Sequence, residues 1–415
     1  MNMRPAAPST TGSGAGRRCL LVLACIAFLS SPDCRAADKA LKSLIGPRDA
    51  VLVADPQGKV ILSKNADTPL APASTLKILT SLVAFHYLGN EYRFVTSFYL
   101  DGAGNLKVKG SGDPLLTSES FQDIAKALSE GPTPKLTAIG DLVVDPTHFK
   151  PAIAVPGKGT SSEPYDAPIG ALCANFNTVA FLKTPGGSYV SAEEQTPLLP
   201  SVLPRVRASG QKEGRVTLSH SADENTRYAG DLMLYFLQQA GIRVTGKVKI
   251  GKVDPNRDRL VYRYVSPFDL DEVVAQLMAY SNNFIANQLL VASGAAAFGP
   301  PGTLEKGVKA AQAVSRAILG CEIPLVEGSG LSRKNRLSAR QLGKILQAFE
   351  PHRKLMRHEN GEYYKTGSLR GVRTRAGYLE GNDGGWYRFV VMCNTPGRGT
   401  ERIMQRVKSV VAAGR

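Results

Sequence analysis

Apolar and polar positions alternate in short blocks along the first part of the chain. Residues 51–54 and 60–62 are apolar runs joined by Asp55-Pro56-Gln57-Gly58-Lys59, a pattern that predicts a β-hairpin. Residues 75–85 are apolar almost all round, which predicts a helix buried in a core rather than one lying on a surface. From 93 to 262 the texture changes. Strand-like pieces such as 94–99, 142–144 and 216–219 alternate with turn signals including Asp101-Gly102, Ser111-Gly112-Asp113-Pro114 and Thr184-Pro185-Gly186-Gly187, with a few helical patterns, for example at 121–128 and 230–239. Helices return at 269–278 and 283–291, and strands at 363–367, 375–379 and 387–393, the last two joined by Gly381-Asn382-Asp383-Gly384-Gly385. A helix over 403–413 closes the chain, and no fixed-period repeat points to a solenoid. The pattern therefore predicts one α/β domain made of two segments, 37–92 and 263–415, with a β-rich domain inserted over 93–262.

Ahead of these blocks stands a segment of another kind. Arg17 and Arg18 precede an 11-residue apolar run, 19–29, and Cys34-Arg35-Ala36 offers a small-x-small stop. A basic flank, a short apolar core and small residues predict a secretory signal peptide over 1–36. The run falls short of the roughly 20 apolar residues that span a bilayer, so the remaining chain is expected to be periplasmic. Of six cysteines, Cys173, Cys321 and Cys393 lie beyond this segment, without CxxC pairing; at most one disulfide can form, and no zinc site is indicated. The formal charge of +16 falls to +13 when the four arginines and one aspartate of 1–36 are removed. Such a balance suits weak contact with an anionic wall polymer or membrane surface. Nucleic acid is not expected as a partner, since neither a long Lys/Arg block nor a nucleic-acid motif occurs.

Three strings carry the chemistry: Ser74-Thr75-Leu76-Lys77, then Ser281-Asn282-Asn283, then Lys365-Thr366-Gly367. A serine hydroxyl needs an adjacent base to become a nucleophile. Ser74 and Lys77, three apart at the start of a predicted helix, share one face. SxN falls between two predicted helices and KTG on a predicted strand. Each string alone is weak: Ser209-Gly210-Gln211-Lys212 also fits SxxK, and Ser63-Lys64-Asn65 also fits SxN, but neither has the matching context. The five histidines lack a Gly-x-Ser-x-Gly or HExxH setting, and no phosphate-binding loop, metal site or cofactor site is indicated.

With these strings in this order, the chain resembles the class C low-molecular-mass penicillin-binding proteins, the D-alanyl-D-alanine carboxypeptidase/endopeptidase family. The likeness extends to Pro72-Ala73-Ser74-Thr75, Gly110-Ser111-Gly112-Asp113-Pro114, Gly140-Asp141-Leu142-Val143-Val144-Asp145 and Gly328-Ser329-Gly330-Leu331-Ser332-Arg333, and to the 207 positions between Ser74 and Ser281. The resemblance implies a serine β-lactamase/transpeptidase-like fold, an antiparallel sheet flanked by helices. It implies Ser74 as acylated nucleophile, Lys77 as base, Ser281 as proton relay, Asn283 as orienter of the substrate amide, and Lys365 and Thr366 as binders of the substrate carboxylate. Gly367 would let the strand approach the ligand, and the backbone N–H groups of Ser74 and Ser368 would form the oxyanion hole. Peptidoglycan stem peptides would be the substrate and β-lactams covalent inhibitors, with no cofactor. The rival readings are a β-lactamase, for which no Glu-x-x-Leu-Asn string supplies a second base, an SxxK esterase, and a catalytically idle wall-binding protein.

Overall fold

The computed structural model describes residues 43–131 and 135–413 of the 415. The predicted signal segment lies outside them. Strands β1 (Asp49–Ala54) and β2 (Val60–Lys64) form the expected hairpin. A 3-10 turn, Ala73–Leu76, then runs directly into helix α1 (Lys77–Leu88).

The region 93–262 is built from strands β3 (Arg93–Leu100) and β4 (Leu106–Lys109), helix α2 (Ser118–Glu130), β5 (Ala138–Ile139), β6 (Leu142–Asp145), β7 (Thr178–Lys183), β8 (Tyr189–Ser191), helix α3 (Leu203–Ala208), β9 (Glu213–Thr217), helix α4 (Ala222–Gln239), β10 (Arg243–Val244), β11 (Val248–Ile250) and the start of β12 (Arg259–Asp269). Its main sheet has the order β11-β6-β4-β3-β12, with β4, β6 and β11 parallel and β3 antiparallel to both its neighbours. The chain thus enters by β3 and leaves by its partner β12, which continues past residue 262. This region has its own apolar core, in which Phe98, Phe121, Leu142, Phe181 and Leu232 are wholly buried.

After β12 come α5 (Leu270–Tyr280), α6 (Asn283–Phe298), α7 (Leu304–Leu319) and α8 (Ala339–Phe349), then β13 (Arg357–Glu359), β14 (Glu362–Leu369), β15 (Val372–Glu380), β16 (Trp386–Cys393) and α9 (Glu401–Ala412). They complete a six-stranded sheet, β13-β14-β15-β16-β1-β2, in which every neighbouring pair is antiparallel. Its central strands are covered on both faces. Ala50 and Leu52 of β1 and Val390 and Met392 of β16 lie in the larger core, shared with α1, α5, α6 and α8, whereas Val51, Val53, Phe389 and Val391 lie in a second core shared with α9. Two-sided burial explains why these strands read as continuous apolar runs, and the period of two decides which side chain faces which helix layer. Helix α1 sits in the larger core with Ile78, Leu79, Val83 and Ala84 buried. Cys173 and Cys393 are buried free thiols and Cys321 is an exposed one, so none of the three forms a disulfide.

Candidate active site

The approach to Ser74 is strained. Ala73 has φ +47°, a left-handed conformation that a residue with a Cβ rarely adopts. Three contacts hold it there. Thr374 Oγ1 donates to the Pro72 carbonyl at 2.8 Å, Thr75 Oγ1 donates to the same carbonyl at 2.6 Å, and Gly330 packs so closely that a Cβ on it would overlap the Ala73 carbonyl. The chain then makes a 3-10 turn, in which side chains at i and i+3 eclipse. Ser74 and Lys77 occupy such positions, and Lys77 Nζ lies 2.9 Å from Ser74 Oγ.

Lys77 is completely buried at the first position of α1. Its amine also donates to Asn283 Oδ1 and to the Ser329 carbonyl, both at 2.8 Å. A neutral amine has two hydrogens and one lone pair. With both hydrogens taken by these acceptors, the lone pair is left facing the Ser74 hydroxyl. An ammonium, with three hydrogens, finds three acceptors in the same place. Burial, followed by the positive charge of Lys365, holds the amine's pKa well below the ordinary lysine range, while Glu327 opposes both.

Two residues separate α5 from α6, and their backbone aims the second string. Ser281 ends α5 in a left-handed conformation, φ 54° and ψ 33°. Asn282 then caps α6 by accepting from the N–H groups of Phe284 (2.8 Å) and Ile285 (3.2 Å). The three-residue string by itself does not reveal this capping role of its middle residue. The junction leaves Asn283 on the first turn of α6, bonded to Lys77. Ser281 Oγ accepts from Lys365 Nζ at 2.8 Å.

Lys365 comes from β14, where Lys365 and Gly367 are buried and Thr366 and Ser368 are exposed, in the strand's alternation. Its amine also donates to the Thr366 carbonyl at 3.0 Å, and burial lowers its pKa to about 8. Gly367 has no room for a side chain: a Cβ there would collide with Thr374 Oγ1 and sit 2.7 Å from the backbone nitrogen of Ser74. The strand edge therefore lies against the backbone amide of Ser74. Beside this cluster opens a cavity of about 700 Å³, lined by Ser281 and Asn283 and by Tyr165, Phe176 and Arg215 from the 93–262 region.

The fold thus brings together strings that lie far apart in the chain: Lys77 bonds Ser74 and Asn283, Lys365 bonds Ser281, and Gly367 lies against the Ser74 amide. Sequence reasoning missed the Ser329 carbonyl, the Glu327 carboxylate behind it, and Thr374. The available signal is the Gly328–Ser329–Gly330 string, whose flanking glycines allow a close backbone approach.

Residues 35–198 and 205–361 match the D-Ala-D-Ala carboxypeptidase 3 (S13) family, more than half of the chain. The chain belongs to this family. It is a serine-type D-Ala-D-Ala carboxypeptidase. The matched stretch ends just before Lys365, so the third string stands on the geometry above. The chain is 25% identical over 404 residues to the D-alanyl-D-alanine carboxypeptidase DacB of Haemophilus influenzae, covering 81% of this chain and 83% of that one. It is 26% identical to the D-alanyl-D-alanine carboxypeptidase of Actinomadura sp. strain R39, covering 74% and 65% respectively. Among solved structures, penicillin binding protein 4 from Haemophilus influenzae superposes with a TM-score of 0.69 at 22% identity, covering 87% of this chain and 94% of that one, which shows the shared fold.

Proposed function

We propose that this carboxypeptidase works through an acyl-enzyme on Ser74, formed on peptidoglycan stem peptides ending in D-alanyl-D-alanine. The observation that carries the reading is the Lys77 amine, 2.9 Å from Ser74 Oγ with acceptors for its two remaining N–H bonds. Lys77 takes the hydroxyl proton as Ser74 Oγ attacks the carbonyl carbon between the two D-alanines. The tetrahedral oxyanion lies between the backbone N–H groups of Ser74 and Ser368. The carbon–nitrogen bond then breaks, and the departing D-alanine amine receives the proton from Lys77 by way of Ser281. Water hydrolyses the ester and restores Ser74. Charged Lys365, with Thr366, binds the terminal carboxylate, and Asn283 orients the substrate amide.

The cavity of about 700 Å³ beside Ser281 gives room for more substrate than a dipeptide end, which supports endopeptidase action on cross-links ending in the same way. Residues 93–262 act as an inserted domain that supplies the far wall. A strained β-lactam amide would acylate the same serine; penicillin binding protein 4 of Haemophilus influenzae has been solved in complex with a β-lactam. The predicted signal places the work in the periplasm, and the basic surface favours anionic wall polymer as a neighbour.

Intact-protein mass spectrometry after exposure to benzylpenicillin tests the reading. Wild-type protein should gain the mass of one penicillin, and Ser74→Ala should gain none. An unchanged mass for folded wild-type protein would refute acylation at Ser74, and rapid multiple turnover of the drug would point to a β-lactamase.

A further inference from the structure

Glu327 is completely buried, and no Lys, Arg or His forms an ion pair with it among the described residues. Six donors surround it instead. Oε1 accepts from the N–H groups of Gly330 (2.8 Å) and Ser332 (3.2 Å) and from Asn335 Nδ2 (2.6 Å). Oε2 accepts from Ser329 N–H (2.7 Å), Ser329 Oγ (2.6 Å) and Asn287 Nδ2 (3.3 Å). The loop gathered in this way is wedged against both catalytic helices. Thr80 Oγ1 of α1 donates to the Gly328 carbonyl at 2.6 Å, and Gly328 N–H donates to Asn287 Oδ1 of α6 at 2.8 Å. Gly330, at φ +83°, supports the strained Ala73. The Ser329 carbonyl between these anchors points at the Lys77 amine.

Burying a carboxylate is costly even when it is well hydrogen-bonded, and simple loop closure does not require a charge. We propose that Glu327 is a positioning residue for the base: its carboxylate folds the loop so that the Ser329 carbonyl fixes one N–H of Lys77, and its negative charge sustains the amine's capacity to accept the Ser74 proton. The inference rests on the Ser74–Lys77 reading above. The ionisable groups acting on Lys77 are Lys365 from β14, which disfavours the ammonium, and Glu327, which favours it; Ser74 and Asn283, which touch the amine, are uncharged.

The test is the pH dependence of benzylpenicillin acylation in wild-type protein, Glu327→Gln and Glu327→Asp. In the Gln variant the acid limb, which reports deprotonation of Lys77, should move to lower pH. The alkaline limb, set by Lys365 near 8, should stay in place, and the plateau should fall roughly tenfold. The Asp variant keeps the charge but draws the carboxylate back from the loop, so its acid limb should stay while its plateau falls by a similar factor. An unmoved acid limb in a folded Gln variant would overturn the proposal. If the Gln variant does not fold, the Asp variant decides: a wild-type plateau overturns the proposal, and a lowered plateau with an unmoved acid limb supports it. A wild-type protein that is not acylated at all would instead remove the Ser74 reading on which the inference stands.

Discussion

The molecule carries the pattern serine-x-x-lysine at Ser74–Lys77 and again at Ser209–Lys212, and the two sites share almost nothing else. Ser209 ends the short helix α3, where its hydroxyl donates to the Val206 carbonyl at 2.6 Å and accepts from Gln211 N–H at 3.2 Å. Gly210 then turns left-handed (φ +67°), the chain leaves the helix, and Lys212 extends into solvent. At the first site the chain continues into a buried helix, so the lysine cannot reach water. Its amine instead meets Asn283, 206 positions on, and Ser329, 252 positions on. A lysine becomes a base by losing its hydration while its hydrogens are directed elsewhere. The four-residue string supplies the pair, and distant chain supplies both conditions.

The sharpest way to break this comparison is to remove the same residues at both places. Ser74→Ala should abolish the penicillin adduct and Lys77→Ala should slow acylation by about 10²–10⁴-fold, whereas Ser209→Ala and Lys212→Ala should acylate at the wild-type rate; stopped-flow acylation with mass detection measures all four. A smaller effect is expected where the strand edge meets Ser74. Gly367→Ala pushes β14 away from the Ser74 amide and should lower kcat by about 10²–10³-fold while destabilising the fold by about 1–3 kcal/mol, as kinetics beside a urea melt would show.

Lys365 adds a prediction in which stability and activity part. Its pKa falls from the ordinary 10.5 to about 8 in the fold, so the folded state holds fewer protons than the unfolded chain between those values, and stability should rise with pH through that window. Below pH 8 the buried charge is a full burden. Lys365→Met should therefore be more stable than wild type at pH 7, by about 1–3 kcal/mol, with the gain shrinking above pH 8. Its acylation should nevertheless be slower, and wild-type kcat/KM should decline with a midpoint near pH 8 as Lys365 loses its charge; urea melts and pH–rate profiles check the two halves. The smallest expected effect lies at Asn282, whose replacement by Ala removes the cap of α6 at a cost of about 1 kcal/mol, measurable by the same melts.

How far the fold was legible depended on how burial was distributed. The β1–β2 and β15–β16 hairpins, the apolar helix α1 and the junction at Ser281 each announce themselves locally, because apolar period and turn residues coincide there. The region 93–262 did so less well. Helix α4 begins at Ala222, before the stretch 230–239 that shows a helical pattern, because the first side chains it buries, Asn225 and Thr226, are polar. Nor did the sequence announce the parallel pairing of β6 with both β4 and β11, since a short strand carries no mark of its distant partner. Within the site, side chains were easier to foresee than backbone. Ser74, Lys77, Ser281, Asn283 and Lys365 are chemically distinctive, whereas the Ser329 carbonyl is a group that every residue possesses. In the sequence Glu327 is one more carboxylate, and only its burial among six donors sets it apart.

By itself, the sequence determined which reactive groups exist, their order, and the local elements that present them: a serine and a lysine one turn apart, a polar break between two helices, and a glycine on a strand. These follow from short-range rules of periodicity, capping and sterics, which act within a few residues. Tertiary structure alone decided that Lys77 is dry, that its hydrogens point at Asn283 and Ser329, that Lys365 stands near enough to disfavour its charge, and that Ala73 is held in a strained turn. Each of those depends on distances between residues far apart in the chain, and both desolvation and Coulomb interaction are set by such distances rather than by neighbours in sequence.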